Sequence, residues 1–427
     1  MNANEMRERL KKGARDERLI SLYGNASLDT QRARYDAALK AFGDLYSPSC
    51  DIHLFSVAGR SELSGNHTDH NRGCVVAASI DLDIIAVAAA TRDGVVRVKS
   101  EGFPEDIVRL AEFTQPRPER FSKSDAIIAG MCAGFRREGY RVGGFNAYTT
   151  SSVLKGSGLS SSAAFEDMIG NILSHLYNDG RVSNVEIAKL AQYAENAFFG
   201  KPCGLMDQMA CAVGGIIAID FADEKNPQIE KIDFDVTGAG YNLCIVNTGG
   251  NHADLTPDYA AVPAEMKAVA AALGKSVLRE TDEESVIAHI PELRKSVGDR
   301  AILRALHFFA ENRRVAAQKE ALQKGDLPTF LSGVIASGRS SFCYLQNVYT
   351  TKNVAEQGLS LALCLAERYL SDKGGAFRVH GGGFAGTIQA YVKFEDVPGF
   401  CQLMDGIFGK GATIVLCIRP DGAIRVD

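Results

Sequence analysis

Residues 156–164 read Gly156-Ser157-Gly158-Leu159-Ser160-Ser161-Ser162-Ala163-Ala164, and a stretch of helical period, Ala163 to Tyr177, runs straight out of them. Glycines let a backbone approach a ligand without a Cβ clash. A helix N-terminus adds roughly half a positive charge, so such a loop suits an anion, above all a phosphate. The serine hydroxyls add donors and hard oxygen ligands for a divalent cation. The same nine residues also suit a Ser-capped turn, so their surroundings decide between the two. No Gly-x4-Gly-Lys-Ser/Thr occurs anywhere in the chain, which argues against a typical P-loop NTPase.

Outward from this loop, NAYTTSSV (146–153) leads into it. Val185 to Phe199 reads as a second helix, stopped by Gly200-Lys201-Pro202. Upstream, HLFSVAGRSEL (53–63) reads as a strand entering a polar turn. Gly73 to Thr91 is β-branched and apolar enough for a buried strand or two. VVRVKS (95–100), after Asp93-Gly94, reads as the second arm of a hairpin. Residues 1 to 45 alternate charge and apolar positions like helices, with a break at Gly24-Asn25. Downstream, 243–247 reads as a short strand, 261–330 as successive helices, 378–392 as a glycine turn and strand, and 413–418 as the closing strand. Strands and helices mix without a βαβ repeat, which favours α+β over a doubly wound sheet.

Two further segments carry chemistry. GRSELSGNHTDHN (59–71) packs Arg60, Glu62, Asn66, His67, Asp69 and His70 into one strand-to-turn stretch. Such polar density is costly to bury unless it binds something polar, and sugar hydroxyls pair well with carboxylate and imidazole groups. Glu195 and Asp207 are separated by a Gly-Pro break, so both can face one cavity, one as a general base and one as a metal ligand. A third motif, Gly381-Gly382-Gly383-Phe384-Ala385-Gly386, fits Gly-x-Gly-x-x-Gly but precedes a strand-like run. It therefore fails as a dinucleotide fingerprint.

The chain has 427 residues, enough for two lobes, and a net charge of −5. No basic excess points to nucleic acid, no apolar run of membrane length appears, and the charged N-terminus does not read as a secretory leader. A cytoplasmic location is expected. The 10 cysteines lack paired spacing and are expected to be reduced, mostly buried thiols.

Taken in order, these segments resemble the GHMP small-molecule kinases, and the galactokinase family most of all. GRSELSGNHTDHN stands where that family has Gly-Arg-x-Asn-Leu-Ile-Gly-Glu-His-Thr-Asp-Tyr-Asn. GSGLSSSAA, CGLMDQ (203–208), NHADLTPDY (251–259), RALHFFAENRRV (304–315) and HGGGFAG (380–386) match further family segments, so the likeness runs from about residue 40 to the C-terminus. It implies a two-lobed α+β fold with the active site between the lobes. The expected division is a helical extension at 1–40, an N-terminal lobe at 41–220 and a C-terminal lobe at 221–427. ATP and Mg²⁺ are implied, with a sugar as acceptor and its anomeric hydroxyl as nucleophile. So are a monomer or homodimer and no nucleic-acid or membrane partner. Arg60 and Asp207 then match the catalytic arginine and base, and Asn66, His67, Asp69, Gly204 and Tyr259 the sugar contacts. Gly156, Ser157, Gly158, Leu159, Ser160, Ser161, Ser162 and Ala163 match the ATP loop. Ser162 and Glu195 match the metal ligands, with Ser161 a near competitor to Ser162. The departures are Ala58 for Pro, Gly338-Arg339 for a Ser-His pair, Glu62 for Asn and, on the sugar side, Asn66 for Glu and His70 for Tyr. Galacturonokinases share the last two changes, so the resemblance leaves D-galactose first and D-galacturonate as the alternative, with a non-catalytic sensor on the same scaffold behind them.

Overall fold

The computed structural model describes residues 1–427 except 113, 154–157, 202, 225 and 251–254. Its helices are α1 (Ala3–Lys11), α2 (Asp16–Tyr23), α3 (Leu28–Leu45), α4 (Ser124–Arg137), α5 (Ser161–Tyr177), α6 (Asn184–Tyr193) and α7 (Met206–Val213) in the first half. The second half adds α8 (Thr256–Ala272), α9 (Glu283–Ala288), α10 (Ile290–Ser296), α11 (Asp299–Gln323), α12 (Leu327–Ser340), α13 (Gly358–Leu370) and α14 (Val397–Phe408). The strands are β1 (His53–Ser64), β2 (Cys74–Ala90), β3 (Val95–Ser100), β4 (Glu105–Arg109), β5 (Phe145–Ser151) and β6 (Ile216–Asp220), then β7 (Gln228–Ile232), β8 (Tyr241–Asn247), β9 (Ala376–Val379), β10 (Thr387–Lys393), β11 (Thr413–Leu416) and β12 (Ala423–Arg425).

Two sheets organise the molecule, as the α+β reading expects. The first runs β12-β1-β2-β5-β3-β4, with β6 and then β7 added on β2, and the second runs β11-β8-β10-β9. β1 and β2 are buried on both faces. Phe55, Val57, Ala86 and Ala88 point at α4–α7, while Leu54, Ile85, Val87 and Ala89 point at α1–α3. That alternation is the period-two geometry of a strand, here covered twice. In the first half of β2, Val76, Ala78 and Ile80 meet Leu243, Ile245 and Tyr391 of the second sheet, so one apolar cluster joins the two.

The break at Gly24 is present, with φ +77 at the end of α2. Residues 74–90 form one strand, not two. The hairpin expected for 95–100 does not form. β5 lies between β2 and β3, pairing antiparallel with the first and parallel with the second. β5 buries Phe145 and Ala147 and β3 buries Val96 and Val98, so both strands pack on the same core and the ladder order is set by pairing between distant segments, not by the short turn. Nor does 413–416 close the fold: β11 joins β8, and β12 turns back to β1. Three cysteines, Cys132, Cys211 and Cys244, are fully buried and the rest are partly or wholly exposed, which corrects the expectation of mostly buried thiols. Among the described residues no helix is long and apolar enough to cross a membrane.

Candidate active site

The loop that opens α5 is described from Gly158 onward; Gly156 and Ser157 lie outside the described residues. Gly158 (φ +73) and Ser160 (φ +58) both take left-handed backbone, which turns the chain sharply into the helix. Ser160 does not cap α5. Its hydroxyl donates to Asp207 Oδ2 instead, which leaves the first N–H groups of the helix for another acceptor. Leu159 and Ala163 are buried and hold the turn. Ser161 and Ser162 line a cavity of about 770 Å³ together with Ile84, Phe103, Ile127 and Phe199 and with the polar Glu101, Asp106 and Ser124. Hydroxyls and a helix N-terminus beside apolar side chains suit a phosphate-bearing molecule with a flat apolar body.

A second cavity, about 230 Å³, is polar and lies between the end of β1, the segment before α7, and the β9–β10 turn. A register shift between Ala58 and Arg60 re-aims β1 here. Arg60 Nε donates to Asp207 Oδ1 at 2.8 Å, and the guanidinium also donates to the Gly158 carbonyl. Burial pushes the Asp207 carboxyl up. The Arg60 guanidinium and the Ser160 hydroxyl more than offset that and hold it below its usual range. Asp207 is therefore an ionised carboxylate standing on the wall of one cavity and tied to the loop that lines the other.

His67, Asp69 and Gly204 share that wall. His67 sits at φ +60, and its Nε2 donates to the Gly382 carbonyl at 3.0 Å. Burial lowers its pKa to about 4, so the ring is neutral and Nδ1 is left as an acceptor. Gly204 has a steric reason: a Cβ there would lie 2.5 Å from Asp69 Oδ2. Tyr259 stands behind the wall, packing edge-on against Phe384 at 5.3 Å and donating to the Gly383 carbonyl at 2.7 Å. Asn66 has no exposed surface. Its amide nitrogen donates to Glu62 Oε1 and to the Gly381 carbonyl, while its oxygen accepts from Asn347 and Ser341.

Glu195 is buried in the π-helical turn Ala194–Phe199, accepting from Lys201 Nζ and Gln208 Nε2, each at 2.8 Å. Ser162 is exposed on the larger cavity, and no direct contact between the two is present. Both offer hard oxygen, the donor type Mg²⁺ prefers when phosphates and waters complete its shell.

Several organising residues escaped the sequence reading. Glu311 accepts the Gly65 and Asn66 N–H groups, His307 bonds the Asn66 carbonyl at 3.0 Å, and Arg378 pairs with Glu62. Each lies more than 240 positions from its partner. Only the segment RALHFFAENRRV (304–315), which holds His307 and Glu311, and the stretch 378–392, which opens on Arg378, marked them, without saying what they touch.

The family model for the GHMP kinases N terminal domain matches residues 126–215, and that for the galactokinase galactose-binding signature matches residues 40–90. The galactokinase of Actinobacillus pleuropneumoniae serotype 5b (strain L20) is 30% identical over 401 residues, covering 90% of this chain and 97% of its own. Human galactokinase is 28% identical over 395 residues, covering 90% and 95%. Among solved structures, Lactococcus lactis galactokinase complexed with galactose superposes with a TM-score of 0.76 at 25% identity, over 90% of this chain and 98% of that one. A mevalonate kinase superposes at 0.61 with 14% identity over 86% and 99%, a likeness of fold alone.

Proposed function

This chain belongs to the galactokinase family of GHMP kinases, and from that premise we propose that it moves the γ-phosphoryl group of ATP to the anomeric hydroxyl of D-galactose. The observation that carries this reading is the position of Asp207. It faces the small polar cavity, pairs with Arg60, and is bonded through Ser160 to the helix whose Ser161 and Ser162 line the large cavity. A hydroxyl held in the first cavity and a phosphate held over the α5 N-terminus meet there.

In the proposed step, the sugar oxygen bonds to the γ-phosphorus, the bond to the β,γ-bridging oxygen breaks, ADP leaves, and the hydroxyl proton passes to Asp207. A carboxylate held below its usual pKa is a weak base. That suits a loose transition state, in which little nucleophile activation is needed before the leaving group departs. Arg60 keeps Asp207 ionised and adds positive charge where the phosphoryl oxygens pass. Ser162 and Glu195 would hold Mg²⁺, which neutralises phosphate charge when bound. A soluble cytoplasmic enzyme, monomer or homodimer, fits this reading.

The test is ADP release across galactose, galacturonate, glucose and N-acetylgalactosamine, with phosphorus NMR of the product. An anomeric phosphate is expected with galactose. A 6-phosphate, or no ADP release with any of the sugars, would sink the proposal.

A further inference from the structure

Position 66 is the departure that invites a substrate role, yet the amide of Asn66 is committed. Both of its N–H groups and its oxygen have protein partners, so it offers nothing to a ligand. Glu62 is in the opposite situation. It lies on the cavity wall, and its Oε1 alone is engaged, by Arg378 and by the Asn66 amide. Among the described residues nothing bonds Oε2. Arg60, Ser61 and Glu62 pair in unbroken register with Ser79, Ala78 and Ala77, so Arg60 and Glu62 project on the same side of β1. Two residues along a strand is roughly 6.6 Å, about the length of a hexose ring from the reacting hydroxyl to its far substituents.

Resting on the kinase reading above, we infer that Glu62, not Asn66, is the residue that selects the sugar at the end remote from the anomeric centre. Its Oε2 accepts a hydrogen bond from a neutral C6 hydroxyl and presents only an acceptor to a C6 carboxylate. A carboxylate facing a carboxylate finds no donor, whatever Arg378 does for the net charge. Arg378 itself is fully buried and points its donors at Oε1 and at the Leu63 and Val379 carbonyls, so it cannot turn to a substrate.

The arrangement makes one substitution unusually informative. In Glu62→Gln, Arg378 and Asn66 bring only donors to the inner atom, so the amide oxygen must stay there and the amide NH₂ must face the cavity. The change inverts the polarity at one atom and keeps the network.

The specificity ratio kcat/KM for galacturonate over galactose should rise at least tenfold in Glu62→Gln. A ratio unchanged within twofold, with both sugars still phosphorylated, overturns the inference. A second measurement needs no variant: in a crystal of the wild-type chain with galactose, a sugar oxygen should lie about 3 Å from Glu62 Oε2. Water in that place overturns the inference equally. If the wild-type chain phosphorylates no hexose, the kinase reading fails, and calorimetric binding of the two sugars to wild type and Glu62→Gln decides the Glu62 inference separately.

Discussion

Asp207 is held by two donors of different kinds, a guanidinium and a hydroxyl, and each predicts a distinct consequence of changing it. Asp207→Asn keeps the shape and loses the proton acceptor and the charge opposite Arg60. Turnover should fall about 10²–10⁴-fold with nucleotide affinity nearly unchanged, as read by single-turnover kinetics beside nucleotide titration. Near wild-type turnover would make Asp207 structural. Because Asp207 is held below the usual carboxylate range, it should remain ionised throughout neutral and mildly acidic pH, and kcat should show no acid limb from it above pH ~4. Gly204→Ala tests a second residue by sterics alone. The added methyl would displace Asp69 from the wall of the smaller cavity, so on the proposed function KM for the sugar should rise on the order of tenfold, about 1.4 kcal/mol, while KM for ATP stays put.

At the scale of elements, α1–α3 lie outside the family resemblance for most of their length yet are bonded into the sheet. Arg34 of α3 donates to Asp83 Oδ1 and to the carbonyls of Asp83 and Thr150, at the end of the strand that leads into the phosphate loop. Asp83 is fully buried on β2 and also accepts from Tyr23, Ser56 and Arg419. Removing the shared acceptor strands two cations, whereas removing one cation leaves the acid paired. Asp83→Ala should therefore cost about 3–5 kcal/mol and Arg34→Ala only about 1–3 kcal/mol, both by urea unfolding. The reverse order would show that Arg34 acts through packing. The helix α5 makes a complementary point. Its serines are legible as a phosphate loop, but the diversion of the Ser160 hydroxyl to Asp207, instead of capping its own helix, belongs to the meeting of two elements.

At the scale of the molecule, Asp81 sits where the two sheets join. Its carboxylate accepts the Cys417 N–H at 3.0 Å, its own N–H donates to the Cys417 carbonyl, and Ile80 bridges Ile418 beside it. Burial raises its pKa from 3.8 to about 6, with the backbone bond from Cys417 working against that rise. The folded state thus holds the Asp81 proton more tightly than the unfolded chain. The stability this gives is fully present below pH ~3.8 and is lost as pH rises to about 6. Asp81→Asn keeps an acceptor for Cys417 and cannot ionise, so its stability relative to wild type should climb between pH 4 and pH 7 in chemical denaturation. A difference independent of pH would place that titration elsewhere.

The features legible in the chain's order of residues were local. Glycine and serine chemistry marked the loop before α5, period 3.6 marked α5 and α6, and the polar density of 59–71 marked a binding wall, because each of these is set by neighbours within one turn or strand. Which strand joins which was not local. β5 stands between β2 and β3 despite the short turn at Asp93-Gly94, because ladder pairing is made between segments that the sequence does not place side by side. Short β6 and β7 and the helix carrying Asp207 left too few periodic positions to be read. The roles of Asn66 and Glu62 were likewise decided only in three dimensions. Arg378, Asn347 and Gly381 reach them across more than 275 positions, engaging one amide completely and one carboxylate by half, and hydrogen-bond saturation is a property of partners that the sequence does not place side by side.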